Sequence, residues 1–438
     1  MMVPTPRALW LVGGAVFTSW VPLFAGATTW VVWLGTSLTV AVMIAVDGLL
    51  AIRPQGLEVT VTVPDVLYVG SDDPLLVKIR AGRAWYRPLF ELVVDLGPGL
   101  APVSRLACRS SATREAEIQV PLRPLRRGPG EVEAVWLRWS GPFGLMRRVR
   151  VERVDESVPM TPNTRAVSDA AIQWAERGDL LSGLQAQRYA GSGSDFEALA
   201  EFLPGHDHRA IDWKGSARHA KLLVREYRAE RNHNVIIAFD TGRLMGQTLD
   251  ALPRLDHAIN AGLLLSYVCL KTGDRVGLFA FGDRVEHYSA PQGGLRTFSD
   301  IEMRCGEFAY GAGETNYTLG LTDLLSRLRR RSLVVVFTDF VDTVTAELMV
   351  ENIQRVSRRH LVIFVAFRDL LYDETIRAEP TRLLNLRRAV VARELAVERQ
   401  IVFRRLQRLG VHPVEASPDF VTSRLINSYL AIRRRELV

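Results

Sequence analysis

Three architectures in series are predicted: two N-terminal transmembrane helices, a small β-sandwich-like domain, and a doubly wound α/β domain. Three observations carry this. Residues Ala8 to Val46 contain no charged side chain over 39 positions. Between Leu57 and Ser140 the apolar pattern has a period of two. From Val235 onward, short Val/Ile/Phe runs alternate with longer amphipathic segments. The boundaries fall at 1–53, 54–160, 161–232 (a linker and a polar motif) and 233–438.

The uncharged stretch is about twice the ~20 residues needed to cross a bilayer core as a helix. Pro22 and Gly26, with Thr28 and Thr29, mark a turn near its middle, flanked by Trp20 and Trp30. Indole rings favour the membrane interface. The stretch therefore predicts a helical hairpin with limbs near Trp10–Val21, extended a few residues each way, and Trp30–Leu49. A signal peptide would be shorter, without a second span. Arg7 precedes the hairpin, Arg53 follows it, and the turn is uncharged. The positive-inside bias then predicts a multi-pass protein of the cell (inner) membrane with residues 54–438 cytoplasmic. Asp47, near the end of the second limb, is expected to reach the interface at little cost.

The chain has 438 residues, 55 basic and 48 acidic, for a net charge of +7. That balance permits attraction to anionic headgroups of the lipid bilayer or to acidic partners but gives no nucleic-acid footprint, so no nucleic acid is expected. Cys108, Cys269 and Cys305 lack metal-ligand spacing and make no disulfide framework.

LEVTVTV, LLVKIRA, LFELVVDL, EAEIQVPL and EVEAVWLRWS read as five strands between Leu57 and Ser140. The turn SGPFGLMRRVR, Ser140 to Arg150, reads as a rim whose arginines snorkel, or dock against lipid headgroups or the next domain.

Between Tyr189 and Glu230 lies a dense polar motif. Asp195-Phe196-Glu197 is expected to open a helix-like run ending at Pro204-Gly205, Ser216 to cap a short turn, and Leu222–Tyr227 to form an edge strand. A helix is expected over Val167–Gly178. Tyr189, Asp195, Asp207, Arg209, Asp212, Trp213, Lys214, Arg218 and Glu226 form the expected motif or partner junction: a charge-assisted hydrogen-bond network at a domain junction, since guanidinium–carboxylate pairs fix geometry well, or alternatively a ligand or partner site. His206 and His208 share a face if extended, but no third ligand accompanies them.

In the last region the strands are Val235–Asp240, Arg275–Phe281, Arg284–Ala290, Leu333–Phe340, Leu361–Phe367 and Val411–Ala416. Helices near Ala251–Lys271, Phe298–Arg304, Tyr317–Arg330, Ala346–Arg358, Leu383–Leu409 and Phe420–Arg434 alternate with them. Such strands, apolar on both faces, belong to a sheet covered on both sides. Neither a phosphate-binding Gly-Lys loop nor a G-x-S-x-G elbow occurs. Asp240 and Asp339 end two strands, and Thr315 opens a helix. These hard oxygen ligands suit Mg²⁺, and open α/β sheets collect ligands at that edge.

The run YAGSGSDFEALAEFLPGHDHRAIDWKGSARHAKLLVREYRAE, with RRG at Arg126–Gly128 and GPFGL at Gly141–Leu145, resembles the DUF58 family. That resemblance implies two transmembrane helices, a β-rich region and a domain similar to von Willebrand factor type A. It also implies a genetic association with an AAA+ ATPase of the MoxR type. Such a domain implies a metal-ion-dependent adhesion site, which falls on Asp240, Thr315 and Asp339, while Gly242 and Leu244 stand where the pattern has serines. The expected function is a membrane-anchored protein-binding or scaffold protein acting with that ATPase. The alternative is a metal-dependent enzyme using Asp240 and Asp339, or His206 and His208 as acid and base.

Overall fold

The computed structural model describes residues 2–18, 20, 29–82, 86–109, 115–163, 190–191, 195–202, 208, 211–219, 221–228, 233–377 and 383–435. The chain divides into two compact units, Met1–Asn163 and Thr164–Val438.

In the first unit two helices, Pro6–Thr18 and Thr29–Leu50, pack together. The Trp33 indole N–H donates to the Ala15 carbonyl at 2.8 Å across them. At 1.5 Å per residue, the second helix, of 22 residues, is about 33 Å long, enough for a bilayer core. Only 17% of its most apolar window is buried, whereas a soluble core helix would be covered. The first limb begins at Pro6, within the few residues' extension expected beyond Trp10, and Thr5 caps it: the Ala8 N–H donates to Thr5 Oγ1 at 3.3 Å. Its 13 described residues reach about 20 Å, short of a full span. Thus one helix among the described residues is long and apolar enough to cross a membrane.

The β-rich part has nine strands: β1 (Met2–Pro4), β2 (Leu57–Thr62), β3 (Leu67–Tyr68), β4 (Asp73–Ala81), β5 (Leu89–Leu96), β6 (Leu106–Arg109), β7 (Glu115–Leu122), β8 (Gly128–Ser140) and β9 (Met146–Thr161). One sheet has the order β1-β9-β8-β5-β6, with β3 beside β9, and the other has β2-β4-β7. Residues alternate buried and exposed along β4 and β7, as the period of two requires. The Gly141–Arg150 rim is a tight turn only as far as Leu145. From Met146 the chain becomes a long strand paired antiparallel to β8.

In the second unit, β10 (Ala190–Gly191), β11 (Asp195–Glu201) and β12 (Leu223–Arg228) form a sheet of order β10-β12-β11. The Asp195 run is therefore a strand, not helix-like, and β12 is central rather than an edge. Antiparallel pairing along β12 outweighs the helical propensity of a short Ala/Leu/Glu run. The expected helix over residues 167–178 lies outside the described residues.

The rest is a six-stranded α/β sheet of order β17-β16-β13-β18-β19-β20. Its strands are β13 (Asn234–Asp240), β16 (Arg275–Phe281), β17 (Val285–Gln292), β18 (Leu333–Phe337), β19 (Leu361–Phe367) and β20 (His412–Ala416). A small hairpin, β14 (Thr248–Leu249) with β15 (Leu252–Pro253), follows β13. Only β17 runs antiparallel, at one edge. Alternate residues of β13 feed opposite cores: Val235, Ile237 and Phe239 on one face, Ile236 and Ala238 on the other. Helices Arg254–Lys271, Arg296–Glu307 and Pro418–Arg434 cover the first face. Tyr317–Arg327, Thr343–Ser357 and Leu383–Arg408 cover the second. One further short helix, Leu370–Arg377, was not anticipated.

Candidate functional site

The carboxyl ends of β13 and β18, adjacent parallel strands, bring Asp240, Thr315 and the Asp339 backbone together. β18 ends at Phe337, so Asp339 lies two residues beyond it rather than in it. The helix after Thr315 is capped by Asn316, whose side chain accepts from the Leu319 N–H at 3.0 Å. Thr315 is thus not the cap, and its hydroxyl is free to donate to Asp240 Oδ1 at 2.6 Å.

Asp240 is buried and fully occupied. Oδ1 also accepts from the Gly242 N–H at 2.8 Å. Oδ2 accepts from Thr338 Oγ1 at 2.5 Å and from the Tyr317 hydroxyl at 3.3 Å. Burial pushes its pKa up, against the opposing pull of those hydrogen bonds. Burial, and then the Asp240 charge, push the Tyr317 phenol well above its usual value.

Asp339 faces other partners. Arg399 Nη1 donates to its Oδ1 at 2.7 Å, and the Phe340 N–H donates to the same oxygen at 2.9 Å. Arg254 Nε lies 3.1 Å from Oδ2 as an ion-pair contact. Arg399 also donates to Glu415 at 2.7 Å and to the Phe367 carbonyl at 2.8 Å, and it stacks over Phe340 at 4.8 Å. Burial disfavours its charge most strongly, but Asp339 and Glu415 outweigh that and the net shift is upward. Neither arginine stood out in the sequence. They are 145 positions apart, and only the sheet brings them to one carboxylate. A cleft of about 160 Å³ opens beside them, lined also by Leu244, Gln247 and Arg368.

The donor set does not fit a hydrated Mg²⁺. Gly242 and Leu244 offer no hydroxyl, Asp240 spends its lone pairs on four donors, and Asp339 is neutralised by guanidinium. A Cβ on Gly242 would overlap Thr315 Oγ1, so the position requires glycine. Among the described residues no three His, Cys, Asp or Glu side chains gather as metal ligands.

The polar motif is only partly described. Tyr189, His206, Asp207 and Arg209 lie outside the described residues. Asp195 is opposite Arg228, and Glu226 opposite Ala198, in the β11–β12 ladder. Asp212, rather than Ser216, caps the Trp213–His219 helix, with Oδ1 accepting from the Lys214 and Gly215 N–H groups at 3.1 and 3.3 Å. Ser216 Oγ instead accepts from the Leu223 N–H at 2.8 Å. Trp213 is 71% exposed, and Lys214 and Arg218 are also exposed. His208 packs against Phe202 at 5.3 Å between ring centres.

A third polar centre lies in the first unit. Asp47 does not reach out to an interface but is buried. Its Oδ1 accepts from the Phe143 N–H, and its Oδ2 from the Leu145 and Met146 N–H groups, each at 2.7 Å. A Cβ on Gly141 would stand 2.5 Å from Asp47 Oδ1, so GPFGL wraps the carboxylate only with glycine there. The same turn holds the first helix, with Thr5 Oγ1 donating to the Gly144 carbonyl at 2.8 Å. Arg148 donates to the Gly48 carbonyl at 2.9 Å, and the Trp139 indole to Ile52 at 3.0 Å. The apolar helix is thus hydrogen-bonded into the β-rich fold.

Residues 199–378 match the family described as "Protein of unknown function DUF58". The chain is similar to the "Uncharacterized protein YeaD" of Bacillus subtilis (strain 168), at 22% identity over 254 residues. That match covers 56% of this chain and 61% of the relative, so the chain spans less than two thirds of that relative's length. A solved structure of the conserved hypothetical protein BatB from Bacteroides thetaiotaomicron aligns at a TM-score of 0.31 and 12% identity, over 46% of this chain and 99% of that one. Proximal thread matrix protein 1 from the mussel byssus aligns at a TM-score of 0.26 and 14% identity, over 46% of each chain.

Proposed function

We propose that this is a membrane-anchored protein of the DUF58 type whose α/β domain, similar to von Willebrand factor type A, binds a protein partner and does not use Asp240 and Asp339 for metal-dependent catalysis. The observation that carries this is the saturation of Asp240 and Asp339 by internal donors: neither carboxylate is free to act as a base or to open a metal position. Arg254 and Arg399 supply the positive charge a cation would otherwise bring. Beside this edge, Val344 and Leu348 on the Thr343–Ser357 helix are 79% and 60% exposed. Adjoining apolar side chains next to a rigid charged edge suit a protein interface.

The partner is an AAA+ ATPase of the MoxR type, and the chain is held at the cell (inner) membrane by two spans with residues 54–438 cytoplasmic. The resemblance supports the partner, and the uncharged 39-residue stretch supports the topology. Purified ATPase, with and without a non-hydrolysable nucleotide, is passed over the detergent-solubilised full chain and its Val344→Glu/Leu348→Glu variant. Retention by the wild type and at least tenfold less by the variant is expected, and equal retention by both would sink this docking face. A C-terminal reporter active outside the cytoplasm would overturn the orientation. Titrating Mg²⁺ into the wild type and Asp240→Ala checks the metal: equal heats are expected, and saturable heat in the wild type alone would restore a metal site.

A further inference from the structure

Next to the GPFGL turn lies a cleft of about 460 Å³, within the range of small-ligand sites. Its charge is one-sided. The guanidinium groups of Arg7, Arg87, Arg109 and Arg147 line it and make no ion pair or hydrogen bond with any described residue. Among the described residues the one lining carboxylate, Glu91, is already bound by Arg138 and lies 3.8 Å from Arg105. Four unpaired arginines around one concavity give it a positive field that favours an anion.

Where the cleft sits narrows the anion. Thr5, Pro6 and the 141–144 turn form part of its wall, and that turn grips Asp47 near the end of the long apolar helix. The positive end of the Pro6–Thr18 helix adds a partial charge of the same sign. Phe143, on the same wall, is 54% exposed. Unpaired arginines beside an exposed aromatic at the end of a membrane helix match the layer where acyl chains meet phosphates.

We propose that this cleft binds the phosphate of an anionic phospholipid headgroup, with Arg7, Arg87, Arg109 and Arg147 as its ligands. The bound lipid holds the β-rich domain on the bilayer surface, beside its anchor. This rests on the reading of Thr29–Leu50 as a membrane span.

The test uses the full chain in nonionic detergent, with phosphatidylglycerol, phosphatidylcholine, inorganic phosphate or glycerol phosphate added. Bound lipid is counted by native mass spectrometry and thermal unfolding is followed in parallel. Retention of about one phosphatidylglycerol per chain, with a raised midpoint and no effect of phosphatidylcholine, is expected. The Arg87→Gln/Arg147→Gln variant removes no ion pair, so it should unfold at the wild-type midpoint without lipid yet bind phosphatidylglycerol at least tenfold more weakly. Equal binding by wild type and variant overturns the site. Equal protection by inorganic phosphate or glycerol phosphate at matched concentration assigns the cleft to soluble phosphates and overturns the lipid reading. Release of the wild type from membranes by alkaline carbonate would refute the span, and is distinguishable from an integral chain that shows no lipid preference.

Discussion

The Asp47 turn and the sheet-edge carboxylates solve one problem in different ways. Each buries carboxylate oxygens. Asp47 is met by three backbone N–H groups of one turn, Asp240 largely by hydroxyls, and Asp339 by two guanidinium groups. Backbone donors are fixed in number and direction, so the Asp47 site needs an acceptor that reaches all three. Hydroxyls can reorient to donate or accept, so Asp240 can gain a proton without losing its neighbours. Guanidinium partners bring charge from distant elements, so Asp339 links β18, the Leu383–Arg408 helix and β20 through Arg399. The first site is a joint, the second a lock.

The comparison breaks most sharply at the joint. Asp47→Ala leaves three donors without a partner, at about 1–3 kcal/mol each, so a loss of several kcal/mol in the unfolding of the solubilised full chain is expected. A loss under about 1 kcal/mol would mean the turn reforms without its carboxylate. At the lock, Arg399→Ala leaves Asp339 with Arg254 alone and Glu415 without its guanidinium partner, and about 3–5 kcal/mol is expected. A partial recovery in Arg399→Ala/Asp339→Asn distinguishes charge from packing in a double-mutant cycle. Gly242→Ser forces its Cβ onto Thr315, costing about 1–3 kcal/mol as overpacking, and Thr315→Ala in the same chain should recover part of it.

The smallest effect is the titration of Asp240. Its folded pKa is raised by burial, so its contribution to stability is fully present below the unfolded value of about 3.9 and is lost as pH rises through the folded value. One group changes stability by at most about 1.4 kcal/mol per pH unit within that window. Urea unfolding across that range should show a decline in the wild type that is shallower in Asp240→Asn. Parallel curves would place the raised pKa elsewhere.

Much of the sheet was legible in the sequence because its strands are apolar on both faces: β16 and β19 fall on the residues expected, and β13 begins one residue earlier. The long β9 was not, because its arginines and glutamates hide the alternation and its residues are mostly half-buried or exposed. The Asp195 run misled because helix-forming residues were held extended by a distant strand. Asp240 and Thr315 could be placed at the sheet edge from strand ends alone, but the reach of Arg254 and Arg399 to Asp339 could not.

The turn that clasps Asp47 shows the same division. GPFGL could be singled out locally by its proline and glycines, and Asp47 by its place in an apolar helix. Their bonds span 96 to 99 positions, and no local rule couples them. The sequence alone determined the uncharged stretch, the change of period from two to βα alternation, and Asp240 at the end of its strand, since each depends on neighbours a few residues away. Tertiary structure alone decided which donors close each carboxylate and which arginines stay unpaired, because those outcomes depend on which distant backbone approaches.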